Sequence, residues 1–166
     1  MALIATVGAA NANSYPTVPF AANYFANRAY GAAWEAVADP ELLLMTASQM
    51  IDWYITPAGL KATDAQSMNF PRIGIYTENG NEMDSTVLPN CLLVGTCELA
   101  FVLKDKDRTV ANPLNGLAEV RAGGLSIRTD SSANAGKEHA IPENVQKILA
   151  PVTQKGGIRT VHLIRA

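Results

Sequence analysis

From Leu88 to Leu103 the chain runs sixteen residues with Glu98 as its only charge. Wound at about 100° per residue, Leu88, Leu92, Gly95, Leu99 and Leu103 form one stripe. Leu93, Cys97, Ala100 and Phe101 form a second stripe on the far side. A helix apolar on both sides is surrounded by other elements. It is shorter than the roughly 20 apolar residues a bilayer span takes. Pro89 suits the first turn, where a missing N–H costs nothing. Gly95 in mid-helix costs roughly 1 kcal/mol relative to Ala, so close approach of a neighbouring backbone is expected there. The fold class that follows is mainly α: a small helical bundle around this central helix.

Three more helices are legible. Thr17 is a candidate N-cap with Pro19 in the first turn. Phe20, Tyr24 and Arg28 share one face, with Ala21 and Phe25 beside it, and Gly31 ends the segment. Trp34 falls in a short linking helix or turn. Asp39-Pro40-Glu41 starts the second helix, with a capping Asp, Pro at the first position and an acidic first turn. Leu43, Ala47, Met50, Ile51 and Tyr54 follow at helical spacing, and Pro57 and Gly59 stop it. Ile141-Pro142 opens the last helix, with Val145, Ile148 and Leu149 inward and Pro151 at its end. The core is expected to hold Leu92, Leu99, Phe101, Leu103, Phe25 and Trp53. Trp53 and its neighbour Tyr54 are placed there as anchors.

Between these helices the signals change. Ala2 to Val7 is a short apolar run with strand character. Gly59 to Leu88 lacks periodicity and reads as a long loop tacked to the core by Phe70, with a turn at Asn79-Gly80-Asn81. Lys104 to Arg108 alternates in charge, as a solvated helix end does. Leu117 to about Thr129 reads as a β-hairpin through Gly123-Gly124, and Asp130 to Glu138 as a polar tip. Lys155-Gly156-Gly157 is a joint, and Ile158 to Ala166 a β-like extended tail. The expected organisation is one helical domain over 1–157 and a tail over 158–166.

Hydrophobic residues make up 48% and charged residues 17% of the chain, enough to bury a core. The net charge of −2 gives no clustered basic face. Cys91 and Cys97 lie about 240° apart on one helix and cannot pair with each other, so both are expected as buried free thiols. Met1 to Ala10 has no basic n-region, so no signal peptide is expected. His139 and His162 have no partner at metal-ligand spacing. No Ser or Cys stands in a nucleophile motif, and Gly123-Gly124 lacks the Lys-Ser/Thr of a phosphate loop. Neither catalysis nor a cofactor, a metal or a membrane is expected.

Several segments, in this order, resemble the head–tail connector (adaptor, or head-completion) proteins of tailed bacteriophages, a group that often carries the label DnaT-like ssDNA-binding. Asn11-Ala12-Asn13-Ser14-Tyr15 with Tyr24-Phe25 is similar to the family's opening. Gln66-Ser67-Met68-Asn69-Phe70-Pro71-Arg72 is similar to its Gln-Ala-Leu-x-aromatic-Pro-Arg segment. Leu88-Pro89 and Thr96-Cys97-Glu98-Leu99-Ala100 resemble its central helix, and Glu119 to Ile127 its strand pair. Ile141-Pro142, Leu149-Ala150-Pro151 and Leu163-Ile164-Arg165 resemble its end.

The resemblance implies a bundle with a protruding hairpin. It also implies a homo-oligomeric ring, usually a dodecamer, beneath the portal protein in the virion neck, assembled in the host cytoplasm. Such a ring extends the channel for double-stranded DNA and meets a downstream neck or tail protein. On this reading Val120, Arg121, Leu125, Ile127 and Arg128 of the hairpin make ring contacts. Ile158, Arg159, Val161, His162, Leu163, Ile164 and Arg165 of the tail either grip the portal or fold back as an edge strand beside Ala2 to Val7. The alternative function is a single-stranded DNA-binding module, which needs a basic groove and exposed aromatics. The 13 Lys and Arg are spread among 15 acids. Tyr24, Phe25, Trp53, Tyr54 and Phe101 fall at core-like helical positions, so sequence favours the connector.

Overall fold

The structure, a computed structural model, describes residues 2–77, 79–108, 119–122, 125–128 and 139–154, with only the backbone of the strands within 119–128. Its described helices are α1 (Val18–Ala26), α2 (Pro40–Tyr54), α3 (Asn90–Leu103) and α4 (Glu143–Leu149). Single 3₁₀ turns cover Gly31–Trp34 and Ala150–Val152. Two antiparallel pairs complete the described elements: β1 (Leu60–Lys61) with β2 (Arg72–Ile73), and β3 (Glu119–Ala122) with β4 (Leu125–Arg128). The fold is mainly α with a hairpin, as the sequence implies.

The apolar stripe of α3 sets the packing. Leu92, Gly95, Leu99 and Leu103 are buried, and so are Thr96, Cys97, Glu98 and Ala100 on its other sides. The helix lies against α1, α2 and α4. α3 begins at Asn90, with Pro89 as the residue before its first turn. At Gly95 the close neighbour is a side chain, not a backbone. An added Cβ would stand 2.7 Å from Leu149 Cδ2 of α4.

α1 is capped as expected: Thr17 Oγ1 accepts from the Phe20 N–H at 3.2 Å. Asp39 precedes α2 but makes no side-chain cap bond. Phe25 is buried between Trp34 and Phe101, with ring centroids at 4.6 and 5.2 Å. Phe101 itself is half-buried against this core. Cys97 is buried and Cys91 half-buried, both as free thiols, and burial pushes both thiols up in pKa.

Three expectations need correction. Ala2 to Val7 forms no strand. Asn13 takes the place of a partner strand: its Oδ1 accepts from Ile4 N–H at 2.7 Å and its Nδ2 donates to Ala2 O at 2.9 Å. The loop after α2 is better ordered than its composition implies. Its Phe70 is buried as expected, but Leu60 pairs with Ile73 and Lys61 with Arg72. The third correction is Trp53, which is not core. It is 69% exposed, and Tyr54 is 52% exposed. The helical phase explains this: at about 100° per residue Trp53 lies half a turn from Leu44, whose side chain is fully buried.

Within the expected hairpin the described residues pair antiparallel, with Val120 opposite Ile127 and Ala122 opposite Leu125. The expected tip at 130–138 and the tail residues Ile158, Arg159, Val161, His162, Leu163, Ile164 and Arg165 lie outside the described residues.

Candidate nucleic-acid interface

The end of α2 carries two exposed aromatics, Trp53 and Tyr54. Behind it Asp52 ties three segments together. Its Oδ1 accepts from the Tyr15 hydroxyl, its Oδ2 from the Asn69 N–H at 3.1 Å, and its backbone carbonyl from Asn69 Nδ2 at 3.0 Å. Burial raises the Asp52 pKa despite these bonds and the nearby charges of Lys61 and Arg72. Burial and the adjacent Asp52 carboxylate also raise Tyr15, which stays a phenol.

Arg72 fixes the ribbon that follows. Its Nε donates to Ala58 O at 2.5 Å, its Nη2 to Gly59 O at 2.6 Å and its Nη1 to Asn69 O at 3.1 Å. Residues directly opposite in a two-stranded pair share a face. Lys61 and Arg72 therefore share the face whose charge Asp52 feels. Leu60 and Ile73 share the other, and are 70% and 41% exposed. Tyr76, three residues beyond Ile73, is also exposed. The last described residues run antiparallel to the exit of α2: Ala58 N–H donates to Val152 O and Gln154 N–H to Thr56 O, each at 2.9 Å. The chain thus enters 155–166 two residues from Tyr54.

A second polar feature joins α1 to α3. Glu98, buried in the middle of α3, accepts from Arg28 Nε at 2.5 Å, Arg28 Nη2 at 2.9 Å and the Tyr24 hydroxyl at 2.6 Å. The guanidinium carbon of Arg28 lies 4.9 Å from the Phe101 ring centroid, a cation–π distance. Burial, with the Glu98 carboxylate second, pushes the Tyr24 phenol up to about 12. Beside this cluster a groove of about 450 Å³ is lined by Phe20, Asn23, Tyr24, Asn27, Arg28, Asn90 and Val94.

Among the described residues no three His, Cys, Asp or Glu gather where they could hold a metal ion. No helix among them is long and apolar enough to cross a membrane.

Comparison with known proteins bears on the two sequence readings. One family matches, over residues 1–166, and its description is "Putative DnaT-like ssDNA binding protein". The chain belongs to this family. No curated protein matches, and no solved structure does. The DnaT-like match overturns the connector expectation: the family is described by single-stranded DNA, and nothing in the match indicates a phage neck protein. The portal, the dodecameric ring, the downstream neck or tail protein and the double-stranded DNA lumen fall with it as partners. A DnaT-like ssDNA-binding family is not typically catalytic.

Beside the spread of charge, the case against DNA binding stood on aromatics placed in the core. Phe25 is there, and Tyr24 and Phe101 are half-buried, but Trp53 and Tyr54 are exposed. Tyr30 and Tyr76 are exposed as well, at 92% and 60%. Tyr30 has φ +62°, a left-handed conformation uncommon outside glycine. Gly31, read in the sequence as the end of the first helix, follows it directly.

Proposed function

We propose that this protein binds single-stranded DNA, stacking bases on the exposed aromatic end of α2. The observation that carries the reading is the exposure of Trp53 and Tyr54 in a chain of this family. Every base has a π-face, so an exposed indole and phenol accept any of the four, at about 1–3 kcal/mol per stacked base. The role is binding rather than catalysis.

Phosphates need cations, and the chain is slightly acidic overall. Its charge is unevenly placed, however. Residues 155–166 contain Lys155, Arg159 and Arg165 and no Asp or Glu. The other 154 residues carry ten Lys and Arg against fifteen Asp and Glu. The basic segment is entered from Gln154, which is hydrogen-bonded to Thr56 beside the aromatic end. Lys61 and Arg72 add positive charge to the neighbouring ribbon. In this reading the basic segment neutralises phosphates while Trp53 and Tyr54 take bases.

Tryptophan fluorescence tests it. Titration with a single-stranded oligonucleotide at low salt is expected to quench the emission, and log affinity is expected to fall linearly with log salt. A duplex of the same length, whose bases are already stacked, should compete poorly. Absence of any binding at low salt would sink the reading.

A further inference from the structure

We propose that the groove between α1 and α3 holds one unstacked base of the bound strand and reads its edge. The inference rests on the single-stranded DNA reading and adds a contact which that reading leaves unassigned. Phe20, Asn23 and Tyr24 of α1 and its C-cap residue Asn27 line a single wall. Asn90 and Val94, four residues apart on α3, line the other. Phe20, Tyr24 and Val94 are half-buried, and Asn23, Asn27 and Asn90 are exposed around them. The lining is therefore apolar and aromatic with a rim of three amides. Its volume of about 450 Å³ lies in the range of small-molecule sites.

Charge decides the class of occupant. Among the described residues Arg28 is the one cation lining the groove, and its Nε and Nη2 are engaged by Glu98. An anion would find no uncompensated positive charge. A neutral planar heterocycle finds aromatic surface and, at Asn23 and Asn90, amides that offer both donors and acceptors, while Asn27 Nδ2 donates to Asn23 O at 2.8 Å. Unstacked bases are recognised in this manner, by stacking on aromatic side chains and hydrogen bonding along their edges. Asparagine pairs bidentately with adenine, through its amide oxygen and nitrogen together. The expected preference is for adenine.

The test compares labelled (dA)12, (dC)12 and (dT)12 binding to the full chain at one fixed salt concentration. The wild type should favour (dA)12. Asn23→Ala/Asn90→Ala should lose roughly tenfold for (dA)12, the scale of one bidentate base contact, while keeping its (dT)12 affinity and its salt dependence. Val94→Trp, which fills the groove from the α3 side, should abolish the same preference and serves as the second variant. A wild type that binds all three equally, or an adenine preference that survives both variants, would overturn the groove inference and leave DNA binding intact. Equal losses for all three oligonucleotides would overturn it too. A wild type that binds none of them would overturn the functional reading, and this inference with it.

Discussion

Arg28 and Glu98 form a two-point ion pair between α1 and α3, with Nε 2.5 Å from Oε1 and Nη2 2.9 Å from Oε2. The Glu98 side chain is only 7% exposed. Removing one partner from a buried pair strands the other charge at a cost of about 3–5 kcal/mol. Arg28 keeps 29% of its side chain exposed, so Arg28→Ala is expected to destabilise by less than that, about 1–3 kcal/mol, in denaturant melts. Replacing both residues with apolar groups, as in Arg28→Met/Glu98→Leu, should recover most of the loss. A double variant as unstable as the single one would show that the pair matters for more than its own charge balance.

Tyr24 gives the pair an alkaline signature. Its ordinary pKa of 10.0 rises to about 12 in the fold. The folded state thus holds the phenol proton more tightly than the unfolded chain. The contribution is fully present below pH 10 and is lost as pH rises toward 12. Melting temperature should fall across that window in the wild type, and less steeply in Tyr24→Phe. Parallel curves would place the phenol outside the cluster.

Two glycines at close approaches should differ in tolerance. A Cβ at Gly31 would stand 2.0 Å from the backbone oxygen of Phe25, which cannot yield without moving α1. At Gly95 the obstacle is the end of the Leu149 side chain, and alanine's helix propensity returns roughly 1 kcal/mol. Gly31→Ala should therefore cost more than Gly95→Ala, by at least about 1 kcal/mol given the usual scale of overpacking. Thermal melts that reverse the order would contradict the packing described.

Trp53 is exposed, so Trp53→Ala should leave the melting temperature close to wild type. Single-stranded DNA affinity should drop by about 1–3 kcal/mol, the scale of one lost stacking contact. Anisotropy with a labelled oligonucleotide measures this directly. Unchanged affinity would move the stacking surface elsewhere, with Tyr30 and Tyr76 the next residues to replace.

Truncation after Gln154 removes Lys155, Arg159 and Arg165 together. If these neutralise phosphates, the slope of log affinity against log salt should shrink by about 2, at roughly 0.7 per phosphate contact on a single strand. An unchanged slope would assign the phosphates to cations elsewhere in the chain.

Periodicity and caps were enough to place the helices. The two-sided apolar run of α3 could only be satisfied by neighbours on every side, and Thr17 and Pro40 mark starts that local hydrogen bonding and a fixed φ dictate. Gly123-Gly124 between strand-like runs sufficed for the hairpin. Local pattern could not settle which face of α2 stays covered at its last turn. That depends on where α3 and the ribbon stop, and it turned Trp53 and Tyr54 from expected core into surface. Nor could it show that Asn13 would stand in for a strand, or that Asp52 would join Tyr15 to Asn69 across 37 and 17 residues. The residues of the Glu98 cluster are 70 and 74 positions apart in the chain. Spacing along a sequence encodes only contacts within a turn or a strand pair, and these distant groups meet because burying the apolar faces of four helices brings them together.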